Sequence, residues 1–322
     1  MREIKNNIII YPPKGLIIAL ITPFNERGEI DWPSWQNLLH HTLPFADGLF
    51  IGEGMIGEGI YLSNKLRLEL AQGAIEAIKG QKPLFIGLTA PTAEETMANF
   101  AEIGQKYNSL AEKGLLYLVD TPLWYHSNRR LPQFYETLLE RSSCPIILTN
   151  NPVLISLSQK SWKRKNIRTN ILKRLAAHPA ITGLINLSDL KRAINYQRAV
   201  RPRRDFRIYD GDEKNFLAQP SAAGVVSAGA NLFPGAWHEV VWASLNPSEN
   251  PAQNFGLWEK SEKLKKFYQI YHGTPAQSLK FALYQQGIIK HPRTLGKDPA
   301  QALLGSKELR DFLQENLSGL VS

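Results

Sequence analysis

Five carboxylates, Glu53, Glu58, Asp120, Asp210 and Asp212, fall at or just beyond the ends of short apolar runs. Oxygen ligands gathered in this way could hold a hard divalent cation for metal-assisted aldol chemistry, although polar residues at strand ends more often serve structure, and no metal is expected. Tyr125 and His126 are adjacent, and a histidine of ordinary basicity can act as a general acid or base near neutral pH; a lone loop histidine is more often a solvated bystander. The stretch Gly52-Glu53-Gly54-Met55-Ile56-Gly57 spells GxGxxG. A dinucleotide-binding turn of that spelling opens directly into its helix, whose N-terminus meets the pyrophosphate. Here the helical pattern starts only near Ser63, so the match reads as coincidence and no cofactor is expected. A single cysteine, Cys144, excludes an intrachain disulfide and a cysteine-based metal cluster. It fits a reducing compartment, and the cytoplasm is the expected location.

These residues are set into a regular alternation of β-branched apolar runs and amphipathic stretches. Strands are expected over Leu16–Phe24, Gly48–Glu53, Leu84–Thr89, Leu115–Pro122, Pro145–Asn150, Ile181–Leu187, Arg207–Asp210 and Val225–Gly229. Helical patterns follow each: from Asp31, then Ser63–Lys79, Thr92–Lys113, Leu131–Arg141, Ser158–Ala177, Leu190–Val200, Glu213–Ala223 and Pro234–Leu245. Ser63, Thr92 and Asp31 sit where N-caps belong, and Glu95 completes a capping box with Thr92. Strict alternation implies a parallel sheet, and eight units imply its closure into a (β/α)8 TIM barrel, expected over residues 1–246. Three more helical patterns, Asn254–Tyr271, Pro275–Gln286 and Pro299–Leu317, make residues 247–322 a C-terminal helical extension packed on the barrel.

The chain has 322 residues, 43% of them hydrophobic, and a net charge of +9. Residues 160–207 hold fourteen Lys or Arg against two acids, Asp189 and Asp205. Such a segment can mark a polyanion footprint, but its charges interleave with helical apolar positions and carry no nucleic-acid motif. A solvated helix face is the stronger reading, and nucleic acid is not an expected partner. No run approaches the roughly 18 apolar residues of a membrane span, and Met1 to Gly15 offers only Ile8-Ile9-Ile10, so neither an anchor nor a signal peptide is expected.

In barrels of this kind chemistry sits at the carboxyl ends of the strands, and those ends carry a resemblance. Gly15 to Phe24 with Gly28 and Asp31, then Gly54-Met55-Ile56-Gly57-Glu58 before Leu62-Ser63, resemble the dihydrodipicolinate synthase and N-acetylneuraminate lyase family. Thr121-Pro122, Asn150 with Pro152, Ile181-Thr182-Gly183-Leu184, Gly211-Asp212, and Gly224 to Ser227 with Asn231 continue the match in order over about residues 15–235.

The resemblance implies class I aldolase chemistry, in which a sixth-strand lysine forms an imine with pyruvate or another 2-oxo acid. A buried amine suits that role because desolvation keeps it nucleophilic near neutral pH. At the matching position this sequence has Ile185, and Lys191, the next lysine downstream, falls on the following helix, facing away from the barrel. The threonine pair of the second strand is Met55-Ile56, the fifth-strand tyrosine is Thr149, and Leu154 stands near a substrate-binding arginine. The expectation is a family barrel with a degenerate active site, without imine-dependent aldol chemistry, that binds a small molecule or is vestigial. Its candidate pocket comprises Glu58, Trp124, Tyr125, Thr149, Asn150, Ile185, Asp212 and Ser227. The competing reading is a lyase or aldolase acting on a 2-oxo acid through rebuilt chemistry, either a metal on the strand-end carboxylates or Tyr125 and His126 as acid and base. The resemblance also implies a small carboxylic or oxo acid as ligand and a homodimer or homotetramer. The basic stretch Trp162–Thr169 reads as an insertion relative to the family.

Overall fold

A computed structural model describes residues 11–141, 144–157, 164–246, 251–295 and 307–320. The chain alternates β1 (Gly15–Ala19), α1 (Trp32–Thr42), β2 (Gly48–Ile51), α2 (Asn64–Ile78), β3 (Leu84–Gly87), α3 (Ala93–Lys106), α4 (Asn108–Glu112), β4 (Leu116–Asp120), α5 (Leu131–Arg141), β5 (Ile146–Asn150), α6 (Pro152–Ser156) and α7 (Thr169–Leu175). It continues through β6 (Ile181–Asn186), α8 (Leu190–Val200), β7 (Arg207–Asp210), α9 (Glu213–Ala218), β8 (Gly224–Ser227) and α10 (Pro234–Leu245). Three helices follow, α11 (Pro251–Tyr271), α12 (Pro275–Gln285) and α13 (Lys307–Leu320). The eight strands pair in sequence order, all parallel, and β8 pairs with β1 to close the barrel.

Strand periodicity divides the apolar side chains into two shells. Ile17, Phe50, Phe85, Tyr117, Ile147, Ile185, Tyr209 and Val226 fill the interior, while their neighbours along the strands, such as Ile18, Leu49, Leu118 and Leu184, face the surrounding helices. Helix starts follow local chemistry. The side chains of Asp31, Ser63, Thr92 and Asp189 accept backbone N–H groups of the first turns of α1, α2, α3 and α8, and Thr92 Oγ1 donates to Glu95 at 3.0 Å.

Closure is tightest between β1 and β8, where Gly15 pairs with Gly224. Both adopt left-handed backbone, φ +118° and +109°, and a Cβ on Gly224 would lie 2.0 Å from the Gly15 carbonyl oxygen. At the opposite end from the functional mouth, the Tyr117 and Tyr209 hydroxyls donate to the carbonyls of Tyr11 and Pro13 at 3.0 and 2.5 Å, and the Arg207 guanidinium lies 5.4 Å from the Tyr11 ring centroid. The segment before β1 thus covers the barrel floor.

Several boundaries differ from expectation. β1 ends at Ala19, not at Phe24: Leu20 to Phe24 stay buried, but after Leu20 N–H bonds the Phe50 carbonyl the chain leaves the sheet, and Phe24 bridges back to Ile30. The third helix breaks at Tyr107 into α3 and α4. In place of one helix over Ser158–Ala177 there are α6 and α7, with residues 158–163 outside the described set. Proline at the start of α6 and the Asn151 cap open a helix before that region. α9 ends at Ala218, five residues short of Ala223. Of the helix expected over Pro299–Leu317, residues 299–306 lie outside the described set, and the described part, α13, runs on to Leu320.

The C-terminal helices are tied to the barrel by polar contacts as well as by packing. Phe267 of α11 stacks on Phe312 of α13 at 5.4 Å and meets Phe233 edge-on at 5.0 Å. Lys280 of α12, wholly buried, pairs with Glu58, donates to the Arg293 carbonyl at 2.8 Å and lies 4.3 Å from the Phe24 ring centroid. The second Glu58 oxygen accepts Leu295 N–H at 2.5 Å. Among the described residues no helix is long and apolar enough to cross a membrane.

Candidate active-site cavity

Where the strands end, α11 comes across the barrel mouth and leaves a cavity of about 180 Å3. Its floor is the top of the barrel interior: Ala19, Phe50, Thr149, Ile185 and Val226. Ile185 is 1% exposed and stands between Thr149 of β5 and Tyr209 of β7 in the parallel register. Met55, Ile56 and Val153 also line it, as do Tyr268 and Tyr271 of α11 and His272 just past that helix. Among the described residues, no lysine or arginine lines the cavity.

Its ionisable lining comprises three carboxylic acids, Glu53, Asp212 and Glu213, with Tyr268, Tyr271 and His272. Glu53 accepts the N–H groups of Met55 and Ile56, each at 2.6 Å, which fixes the loop that carries those two side chains. Glu213 accepts Ser227 Oγ at 2.5 Å, Gly229 N–H at 2.7 Å and the Tyr271 hydroxyl. Burial pushes both carboxyls above their ordinary range, and the hydrogen bonds only partly oppose it. The Tyr271 hydroxyl is held well above the usual phenol range by burial and by Glu213 beside it, so it stays a donor. Asp212 caps α9 by accepting Lys214 N–H at 3.0 Å.

Thr149, Ile185 and Asp212 therefore meet at the cavity, together with Met55 and Ile56. The other expected pocket residues point elsewhere. Asn150, one residue out of phase with Thr149, donates to Asn166 and Asn186 and accepts Ile167 N–H outside the barrel wall. Glu58 is turned to Lys280, and Ser227 reaches the cavity only through Glu213. Tyr125 donates to the buried Asp120 at 2.5 Å, and Trp124 packs against the outer core; neither lines the cavity. Tyr125 and His126, the expected acid-base pair, thus lie outside this cavity. Leu154 is buried and packs against Gly54, and Lys191 is exposed on α8.

The metal alternative also loses its geometry, because the five carboxylates are dispersed on separate partners. Asp120 accepts from Thr89, Tyr125 and Tyr135, and Asp210 accepts Ser221 N–H at 2.9 Å. No three His, Cys, Asp or Glu side chains among the described residues are grouped to hold an ion. The GxGxxG stretch is a loop between β2 and the distant start of α2, shored by the buried Arg67, which donates to the Gly59 and Leu62 carbonyls.

Sequence reasoning missed Glu53 and Glu213 as cavity residues, and Tyr268, Tyr271 and His272 altogether. Glu213 follows Asp212 in the turn from β7 into α9 and could have been found with the other carboxylates beyond the strand ends. The α11 residues lie in a helix whose position over the mouth is set by long-range packing.

The model of the dihydrodipicolinate synthetase family matches residues 12–303. The chain belongs to that family. Among its relatives, the 4-hydroxy-tetrahydrodipicolinate synthase of Porphyromonas gingivalis is 25% identical over 286 residues, 86% of this chain and 89% of the relative. That of Azoarcus sp. is 28% identical over 235 residues, 72% and 75% of the two chains. The solved structure of the synthase from Methylacidiphilum fumariolicum superposes with a TM-score of 0.76 at 23% identity, covering 95% of this chain and 98% of the other. YagE, a prophage protein of the same family from Escherichia coli solved in complex with pyruvate, gives 0.74 at 20% identity, with 94% and 98% covered. These likenesses extend past the barrel into the C-terminal helices, which family members therefore share with this chain.

Proposed function

We propose that this chain is a ligand-binding member of the dihydrodipicolinate synthetase family that does not run imine chemistry from its sixth strand. Ile185 carries the reading. It lies in the cavity floor, at the position where the family resemblance calls for the imine-forming lysine, and it has no nucleophile. Among the described residues no lysine lines the cavity: Lys191 is exposed on α8, and Lys280 is enclosed with Glu58 away from it. Met55 and Ile56 offer no side-chain hydroxyls. A 2-oxo acid entering here would shed the hydration of its carboxylate without meeting a cation.

The competing reading, a lyase or aldolase with rebuilt acid-base chemistry, draws support from Glu213. A buried carboxyl with a raised pKa, beside a tyrosine and a serine in a cavity wall, has the make-up of a general acid. The naming of its relatives as synthases favours the same side.

Borohydride reduction in the presence of pyruvate and a panel of 2-oxo acids, read by intact mass, separates the two. The native chain is expected to gain no mass, and an adduct on it would overturn the proposal. Trapping confined to Ile185→Lys would show that the scaffold still admits an oxo acid. Aldol turnover without trapping, abolished in Glu213→Gln, would establish the rebuilt lyase instead. We further propose, from family resemblance, a homodimer or homotetramer, to be checked by sedimentation.

A further inference from the structure

Part of the basic segment gathers at the amino end of the barrel, around a hollow of about 300 Å3 that shares no lining residue with the mouth cavity. The starts of three neighbouring strands frame it: Arg207 begins β7, Ala222 and Ala223 precede β8, and Lys14 precedes β1. Gly15 N–H bonds the Ala223 carbonyl at 2.9 Å. Lys14 therefore stands beside the two alanines, whose short side chains leave room between the cationic strand starts. The turn from α8 into β7 brings Arg201 and Arg203 to the same hollow, and the buried Val200, Phe206 and Ile208 back it. Its volume falls at the lower end of the roughly 300–1,000 Å3 of ligand clefts.

Four cations and no carboxylate line the hollow. Arg203 is already engaged: it donates to Asp205 at 2.8 and 2.5 Å and to the carbonyls of Ala176 and His178 at 2.6 and 3.0 Å. Those bonds fix the turn and occupy Asp205. On the other side Asp47 accepts Leu16 N–H at 2.8 Å and does not line the hollow. Lys14 and Arg201 are exposed, and among the described residues neither they nor Arg207 form an ion pair. The Arg207 guanidinium is held against the Tyr11 ring, and its terminal nitrogen makes only an exposed contact with the Arg204 carbonyl at 3.5 Å, the outer limit of a hydrogen bond. Three cations around one hollow thus lack counter-charges, and an anion of several linked charges would meet them together. They surround a hollow and do not line a track, which favours a compact polyanion over a nucleic-acid strand.

We infer that this hollow is a second ligand site, which binds a small molecule through two or more linked phosphate groups, their oxygens meeting Lys14, Arg201 and Arg207. The linked phosphates can belong to an inorganic polyphosphate or to a nucleotide.

The test is titration calorimetry of the full chain with tripolyphosphate, ATP and sulfate at one ionic strength in metal-free buffer. Tripolyphosphate or ATP is expected to saturate the protein and to bind at least about 10-fold more tightly than sulfate. Tighter binding of ATP would assign the site to a nucleotide, and tighter binding of tripolyphosphate to an inorganic polyphosphate. Lys14→Gln and Arg201→Gln remove exposed charges that hold no protein partner, so melting temperature should be retained. Each is expected to weaken the tighter ligand about 3- to 5-fold, and the pair together about 10- to 25-fold. Lys173→Gln, in the basic segment on α7 but outside the hollow, is expected to change nothing. Affinity no greater than that of sulfate, unchanged binding in the double variant, or an equal loss in Lys173→Gln would overturn the inference. So would a single-stranded oligonucleotide that binds more tightly and is weakened by Lys173→Gln, since the basic face would then be a nucleic-acid surface. Borohydride trapping at the barrel mouth bears on the proposed function alone.

Discussion

Asp210, at the carboxyl end of β7, shows what burial does to one strand-end acid. Its carboxyl is pushed up to about 6, chiefly by desolvation and partly by Asp212, against the Ser221 hydrogen bonds. The folded-state value lies above the unfolded one, so the stabilisation is complete below the unfolded pKa and is lost as pH rises through about 6. Asp210→Asn keeps an acceptor for Ser221 N–H and has no proton to lose. Relative to native protein, this variant is expected to gain about 2–3 kcal/mol between pH 4 and pH 8, read from urea unfolding at both pH values. A gap independent of pH would show that Asp210 ionises as freely folded as unfolded. At this scale the sequence was a partial guide. Thr149 and Ile185 were legible because strand alternation fixes which residues face inward, whereas Asp212 lies past the end of β7 and was legible from the Gly211-Asp212 match to the family. Asn150 was not, since one residue of phase sends its amide out to Asn166 and Asn186. Tyr125 misled because its partner Asp120 is already behind it in the strand, turning the hydroxyl away from the mouth.

Among the elements, the seam between β1 and β8 tolerates least. Gly224→Ala would place a methyl 2.0 Å from the Gly15 carbonyl at φ +109°, combining backbone strain with a steric clash. A loss of about 2–4 kcal/mol is expected in denaturant unfolding, whereas an effect within 0.5 kcal/mol would mean that the seam can open without cost. The eight strands and most helices were legible because periods of 2 and 3.6 alternate cleanly along the chain. Apolarity overstated β1, since after a last bond from Leu20 N–H to the Phe50 carbonyl the residues Ile21 to Phe24 are buried without pairing in the sheet. The short α6 was announced by Asn151-Pro152, a cap and a helix-starting proline, but lacked the length that makes helical periodicity visible.

Across the whole molecule, barrel and C-terminal helices meet at the buried Glu58–Lys280 pair. Burial lowers the Lys280 pKa although Glu58 opposes that shift. Glu58→Gln would leave the ammonium without its counter-charge, and a loss of about 3–5 kcal/mol is expected. The double variant with Lys280→Met should recover most of it; additive losses in a double-mutant cycle would show that the two groups do not act as a pair. Neither position looked linked in the sequence, because no local pattern connects residues 222 apart. That separation sets an order on biosynthesis. A ribosome that has released all eight strands has not yet made α12, and the nascent barrel waits with a carboxylate at position 58 that nothing neutralises. Completion of the fold is thereby deferred to the final stretch of translation, and a chain arrested before Lys280 would carry its unmatched charge to the quality-control machinery.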